Sequence, residues 1–307
     1  MLLRICHTTR FAYDAPAYQS HNEVRMRPVD SAEQKRLEFA LEVEPASAMF
    51  EFDDFYGNRV HSFSIYPQHE VLTITSRSLI DCIEAQSPST PSVSFEEFLQ
   101  DDSIRVQTEY DFLGASPYVP FSDRVKKFFW TARPGRSDEV GAYVQQIVAF
   151  VRDQFSYEPG VTQAHSTVDE ILTIGAGVCQ DFAHLTIAIL RLAGVPARYV
   201  SGYLAPPASS SQQVPLESQA SHAWIEAQVP GEGWAGFDPT HGCRTDTRHI
   251  KVAIGRDYSD VTPLRGVYRS FGKKQTMTVD LRLEREKADQ SQIQNGQHQS
   301  QKGHAQQ

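Results

Sequence analysis

The hydrophobic pattern divides the chain into a part with a period of two residues and a part with a helical period. In residues 1–110, apolar and polar positions alternate, as expected for strands that bury one face. The clearest alternating segments are residues 3–11, 37–43, 60–65 and 71–75, and turn-forming residues separate them. Short strands that recur with turns between them predict a small β-sandwich.

From Asp138 onwards, apolar residues recur at intervals of three and four, which predicts helices. The first helix is expected at residues 138–154 and a short second one at residues 167–172. A third helix begins at Cys179. Gly194 and Pro196 end it, because glycine favours the position just past a helix and proline cannot continue one.

Strands are predicted again after the third helix, at residues 197–204, 222–229, 234–238 and 276–283, with a loop rich in Pro, Ser and Gln at 205–219. Helices beside an antiparallel sheet indicate an α+β fold. We therefore expect a β-rich N-terminal domain at 1–110, a linker at 111–137, and a core with a C-terminal strand at 138–285. The polar segment 286–307 is expected to be disordered.

Charge and cysteine content narrow the class of protein. The net charge of −9 argues against nucleic acid or an anionic membrane as the main partner. The four cysteines form no CxxC pair, and the N-terminus lacks a signal-peptide core, so reduced thiols in the cytoplasm are expected. No P-loop, GxGxxG, GxSxG or calcium-loop motif is present, and no cofactor is predicted.

Cys179 is the strongest candidate for a chemical role. It follows Gly175 and Gly177 at the start of the third helix, where unpaired N–H groups and the helix dipole stabilise an anion. The thiolate is the reactive form of cysteine, so this position favours a nucleophile. The alternative is a buried cysteine that acts as a small apolar residue, although packing requires neither glycine.

Two residues downstream can assist such a nucleophile. His222, on a predicted strand, can accept and return a proton, and Asp238, at the end of the next strand, can orient the imidazole. The Cys179 backbone N–H offers one donor to an oxyanion. A second donor is expected from a side chain among Tyr157, Gln163 and Gln180.

A metal site is the main chemical alternative to this triad. Zinc held by residues among Cys179, His184, His222 and His241 is conceivable, but no HExxH or CxxC spacing supports it. We therefore predict no metal. His184 is expected to pack or to form a hydrogen bond within the fold, and Asp181 is expected to serve the helix N-terminus.

Four motifs together resemble the bacterial transglutaminase-like family. They are residues 177–184 (GVCQDFAH), 194–203 (GVPARYVSGY), 221–224 (SHAW) and 236–240 (GFDPT). The resemblance implies a papain-like core preceded by a β-sandwich, and a triad of Cys179, His222 and Asp238. One departure is His241, where the family commonly has asparagine, which bears on substrate contacts.

The triad and the resemblance together predict a cysteine protease or amide hydrolase that acts on a peptide or protein amide. Family members also include protein cross-linkers, so a protein-glutamine transamidase is one alternative. A non-catalytic interaction module on the same fold is the other.

Overall fold

The computed structural model describes residues 1–84, 93–100, 110–132, 137–207 and 221–286. Three segments lie outside these ranges: residues 87–92, whose Ser and Pro residues predict a turn-rich linker, residues 208–219 of the predicted loop, and residues 287–307 of the polar tail. Within them, the predicted α+β class is confirmed as an antiparallel sheet followed by a mixed core.

The N-terminal region is an antiparallel sheet built around one long strand. Its strands are β1 (Leu2–Val24), β2 (Gln34–Glu44), β3 (Met49–Asp53), β4 (Arg59–Ile65) and β5 (His69–Cys82), arranged in the order β2-β5-β1-β4-β3. The four predicted strands are confirmed. β3 is absent from the prediction; all five of its residues are exposed, although Met49, Phe50 and Phe52 are apolar.

The connection to the core contains helices, namely α1 (Phe95–Gln100) and α2 (Asp123–Ala132), with a short 3-10 turn at Tyr110–Phe112. α2 falls in the segment predicted as a linker. It forms because Val125 and Phe129, four residues apart, both bury their side chains in the core while Trp130 stays exposed.

The core combines helices with a second antiparallel sheet. In chain order its elements are α3 (Val140–Gln154), β6 (Ser156–Tyr157), α4 (Val168–Ile174), β7 (Ala176–Gly177), α5 (Cys179–Leu192), β8 (Ala197–Leu204), β9 (Ser221–Val229), β10 (Gly233–Asp238), β11 (Cys243–Arg244), β12 (His249–Gly255) and α6 (Tyr258–Val261). The sheet order is β11-β10-β9-β8-β12. The three predicted helices and the strands β8, β9 and β10 are confirmed.

Helix α5 lies at the centre of the core, packed against α3 on one side and against β8 and β9 on the other. Every residue from Asp181 to Arg191 is buried, so its polar members need partners inside the protein. Arg191 donates to the backbone oxygens of Ala197, Gly114 and Arg256 at 3.0, 2.9 and 2.7 Å. These bonds fix the C-terminal end of α5, and with it the position of its first turn.

The chain returns to the first sheet through β13 (Leu264–Ser270) and β14 (Gln275–Arg285). Both strands pair with β1, β14 with its first half and β13 with its second. β14 is the predicted C-terminal strand. The prediction grouped it with the core, whereas its hydrogen bonds go to β1 of the N-terminal sheet.

The two sheets are held together by a buried contact. Leu3, Ile5 and Ile80 of the first sheet pack against Tyr203 and Ile250 of the second. The Tyr203 hydroxyl also lies 2.9 Å from Nδ1 of His7, which is itself buried. Among the described residues, no helix is both long and apolar enough to cross a membrane.

Candidate active site

Cys179 is the first residue of α5 and is partly exposed. Asp181, in the first turn, reaches back so that its carboxylate accepts the Val178 backbone N–H at 2.8 Å, and Thr162 donates its hydroxyl to the same oxygen. Burial raises the pKa of Asp181, and these two hydrogen bonds oppose the rise. As predicted, Asp181 serves the helix start, and it holds the backbone next to Cys179.

His222 lies on β9 with its ring stacked on Trp224, the ring centres being 6.1 Å apart. Room for Trp224 comes from Gly202 on the neighbouring strand, where a Cβ would fall 2.5 Å from the indole. Nε2 of His222 is 2.7 Å from Oδ2 of Asp238, and Cys179 lies close enough to the ring to raise the pKa of the imidazole together with Asp238. Because Nε2 faces the carboxylate, Nδ1 is the nitrogen available to the thiol.

Asp238, at the end of β10, is completely buried and receives five N–H groups. Oδ2 accepts from His222 Nε2 at 2.7 Å, His241 Nδ1 at 2.7 Å and His249 Nε2 at 3.1 Å. Oδ1 accepts from the backbone N–H groups of Thr240 and His241 at 2.9 and 3.2 Å. The structure therefore brings the three predicted residues together, with His222 and Asp238 in a hydrogen-bonded pair beside Cys179.

The electrostatic environment of these three residues favours the protonated form of His222. Burial alone would raise the pKa of Asp238, but the hydrogen bonds from the three histidines hold it well below its usual range. Burial alone would lower the pKa of His222, yet its hydrogen bond to Asp238 and its interaction with Cys179 raise it to about 9. At neutral pH the site thus contains an imidazolium beside Cys179 and a buried carboxylate.

Two of the three histidines on Asp238 fall outside the predicted triad. His241, the departure from the family pattern, contacts the carboxylate directly, although the prediction connected it only with substrate contacts. His249, on β12, is missed by the sequence prediction. No sequence motif contains it, because β12 pairs with β8 at the edge of the sheet and His249 meets Asp238 only in the folded core.

The three proposed oxyanion donors differ in position. The Gln180 side-chain amide donates to the Ala164 carbonyl at 2.8 Å, so it is bound to a neighbouring loop. Gln163 is exposed and lines a surface cavity of about 640 Å³. Tyr157 lies near the thiol: burial raises its pKa, and negative charge at Cys179 and Asp181 raises it further. Tyr157 therefore lies within electrostatic range of Cys179.

The site also contains a group of side chains able to hold a metal ion. One ligand atom each from His222, Asp238 and His241 lies within 4.8 Å of the others. His184, which the sequence analysis considered as a zinc ligand, is elsewhere. It is fully buried and accepts the Tyr258 backbone N–H at 3.1 Å, in keeping with the packing role expected for it.

Two protein-family models match different parts of the chain. Residues 3–81 match the bacterial transglutaminase-like N-terminal region, and residues 107–239 match the transglutaminase-like superfamily core. The two matches correspond to the first sheet and to the part of the core that ends just after Asp238.

The similar proteins found by sequence and by structure are consistent with these family-model matches. An uncharacterized protein of Mycobacterium leprae is 35% identical over 88% of this chain and 94% of its own length. A protein-glutamine gamma-glutamyltransferase of Pseudomonas aeruginosa is 32% identical over 33% of this chain and 16% of its own length. The solved structure of a "putative cysteine protease" from Cytophaga hutchinsonii has the same fold, with a TM-score of 0.73, 23% identity, and coverage of 94% of this chain and 92% of that one.

Proposed function

The chain belongs to the bacterial transglutaminase-like family, and we propose that it hydrolyses amide bonds of peptides or proteins with Cys179 as the nucleophile. The observation that carries this proposal is the position of His222, which is hydrogen-bonded to Asp238 and lies close enough to Cys179 for the two side chains to interact. A histidine between a thiol and a buried carboxylate is the arrangement that activates a cysteine for acyl transfer.

The reaction follows from this arrangement. The Cys179 thiolate attacks the amide carbonyl, and the oxygen of the tetrahedral intermediate takes up the negative charge. The Cys179 backbone N–H and the Tyr157 hydroxyl are the donors that we propose for this oxyanion. The imidazolium of His222 then transfers its Nδ1 proton to the leaving amine as the C–N bond breaks, which leaves a thioester on Cys179 and a neutral His222.

Water completes the cycle. Neutral His222 removes a proton from a water molecule, which attacks the thioester and releases the acid together with the Cys179 thiolate, while the imidazolium is restored. Asp238 stays ionised throughout and keeps Nε2 protonated, so that Nδ1 is the nitrogen that exchanges protons. We place the reaction in the cytoplasm, in line with the four free cysteines.

The test supplies a glutamine-containing peptide library with and without a primary amine, and mass spectrometry identifies the products. We expect hydrolysis to exceed amine incorporation, and Cys179→Ala to abolish both. Cys6→Ala is the matched control, because Cys6 is also partly exposed but lies on β1. Dominant amine incorporation would instead indicate a transamidase. If the Cys179→Ala variant retained the biological effect of the native protein, the protein would be a non-catalytic interaction module.

A further inference from the structure

His241 has no role in the proposed hydrolysis, yet its side chain points into the site. Nδ1 of His241 lies 2.7 Å from the same Asp238 oxygen that binds His222, and the two imidazole rings are 5.5 Å apart. The His241 side chain is 51% exposed, whereas Asp238 is completely buried. The cluster of His222, Asp238 and His241 is therefore accessible to solvent at His241 and inaccessible at Asp238.

We propose that His222, Asp238 and His241 form a binding site for Zn²⁺ and that the bound ion inhibits the enzyme. The ligand atoms are Nε2 of His222, Oδ2 of Asp238 and Nδ1 of His241, which lie within 4.8 Å of one another. Two imidazole nitrogens and one carboxylate oxygen are ligands that zinc prefers, and three protein ligands leave the fourth position to water. Exposed His241 provides the entry path.

The surroundings of these ligands support a metal site. A carboxylate that binds a metal is usually held by further hydrogen bonds, and here His249 Nε2 and the backbone N–H groups of Thr240 and His241 hold Asp238. These three bonds need not break when the ion binds. The ion replaces only the two protons that His222 and His241 direct at Oδ2, and these protons pass to solvent.

The proposed site differs from a zinc site between Cys179 and His222 in the nitrogen of His222 that binds the ion. Zinc that inhibits a thiol enzyme by bridging the cysteine sulfur and the histidine would use Nδ1, the nitrogen that faces Cys179. The site proposed here uses Nε2, on the opposite side of the ring, so Cys179 is not a ligand. Inhibition arises because an Nε2-bound ion repels a proton on Nδ1 and separates His222 from Asp238.

The test measures Zn²⁺ binding by calorimetry in the Cys179→Ala variant, which removes any contribution of the thiol. We expect Cys179→Ala to bind Zn²⁺, and Cys179→Ala/His241→Asn to bind it about tenfold more weakly or worse. The His241 side chain is half-exposed, so the fold should tolerate asparagine there. Cys179→Ala/His165→Asn is the matched control, since His165 is exposed and is not among the hydrogen-bond partners of Asp238, and it should bind as Cys179→Ala does.

Equal affinity in the His241→Asn and His165→Asn variants would overturn the proposal. So would a Co²⁺-loaded native protein with a strong thiolate-to-cobalt charge-transfer band, because that band requires Cys179 as a ligand. The inhibitory consequence rests on the proposed hydrolase function, whereas the binding does not. If Zn²⁺ binds as expected but no amide is ever cleaved in metal-free buffer, the site stands and the hydrolase proposal fails.

Discussion

Gly177 has no room for a side chain, because a Cβ built there would lie 2.6 Å from Oδ2 of Asp181. That oxygen is the one that accepts the Val178 N–H next to Cys179. A glycine is therefore required at position 177, because a side chain there would collide with the Asp181 carboxylate that holds the start of α5.

Gly177→Ala should weaken both the fold and the site. The added methyl group pushes Asp181 away from Val178, and the loss of this capping bond together with the crowding should lower the free energy of unfolding by about 2 kcal/mol. Because Cys179 begins the same helix turn, kcat should fall as well. Urea unfolding and amide hydrolysis measure the two effects. Gly114→Ala is the control, since a Cβ there meets only the Tyr110 carbonyl, at 4.0 Å; equal results for the two variants would contradict the explanation.

Asp238→Asn should inactivate the protein, even though Cys-His-Asn triads exist in other thiol enzymes. Each oxygen of Asp238 accepts at least two N–H groups, so the amide nitrogen of asparagine must face donors wherever it points. We expect hydrolysis to fall about 10²- to 10⁴-fold.

The same substitution should also destabilise the fold, because each buried donor left without an acceptor costs about 1–3 kcal/mol. Thermal unfolding measures this loss. Asp153→Asn removes an exposed carboxylate that pairs with Arg152 and should change stability by less than about 0.5 kcal/mol. Wild-type activity of Asp238→Asn would show that the N–H groups do not constrain the carboxylate.

His249 is expected to act as a positioning residue. Its side chain is 1% exposed, so it cannot reach a substrate, but Nε2 donates to Asp238. His249→Phe removes this donor and should lower kcat about tenfold, equivalent to about 1.4 kcal/mol, while KM stays unchanged. His249→Gln keeps an N–H at a similar distance from the backbone and should restore much of the activity. A rise in KM, or no rescue by glutamine, would assign His249 a merely structural role.

The pH dependence of the enzyme should reflect the raised pKa of His222. With a pKa of about 9, His222 keeps its proton through neutral pH, so kcat/KM measured with a chelator present should decline only as the pH rises through about 9. The same group stabilises the fold fully below its ordinary pKa of 6.5, and this contribution is lost as the pH rises through about 9. A decline centred below pH 7 would contradict the hydrogen-bonded pair.

Much of the core could be predicted because its signals are local. Cys179 begins α5 and Gly194 follows its end, as the glycine and proline positions indicate, and the alternation around His222 identifies β9. His249 could not be predicted in the same way. It reaches Asp238 from a strand at the far edge of the sheet, and a contact of this kind depends on tertiary packing rather than on spacing along the chain.

The length of β1 also exceeds the prediction, which ended the strand at residue 11. Asp14 and Pro16 interrupt the alternation there, and proline usually lies at bulges or edges of sheets. In the structure, the pairing with β5 shifts register between Ala12 and Ala17, so an irregularity accommodates Pro16 and the strand continues to Val24.

The pairing of β1 with β14 has a consequence for synthesis on the ribosome. Leu3 pairs with Arg285, so β1 emerges long before its partner β14, which is translated after every other described element. Until then one edge of β1 is open, and closing such a long loop is slow. We expect the core around α5 to acquire protection from hydrogen exchange before the first sheet does, and the nascent chain to be most prone to aggregation while β1 lacks β14.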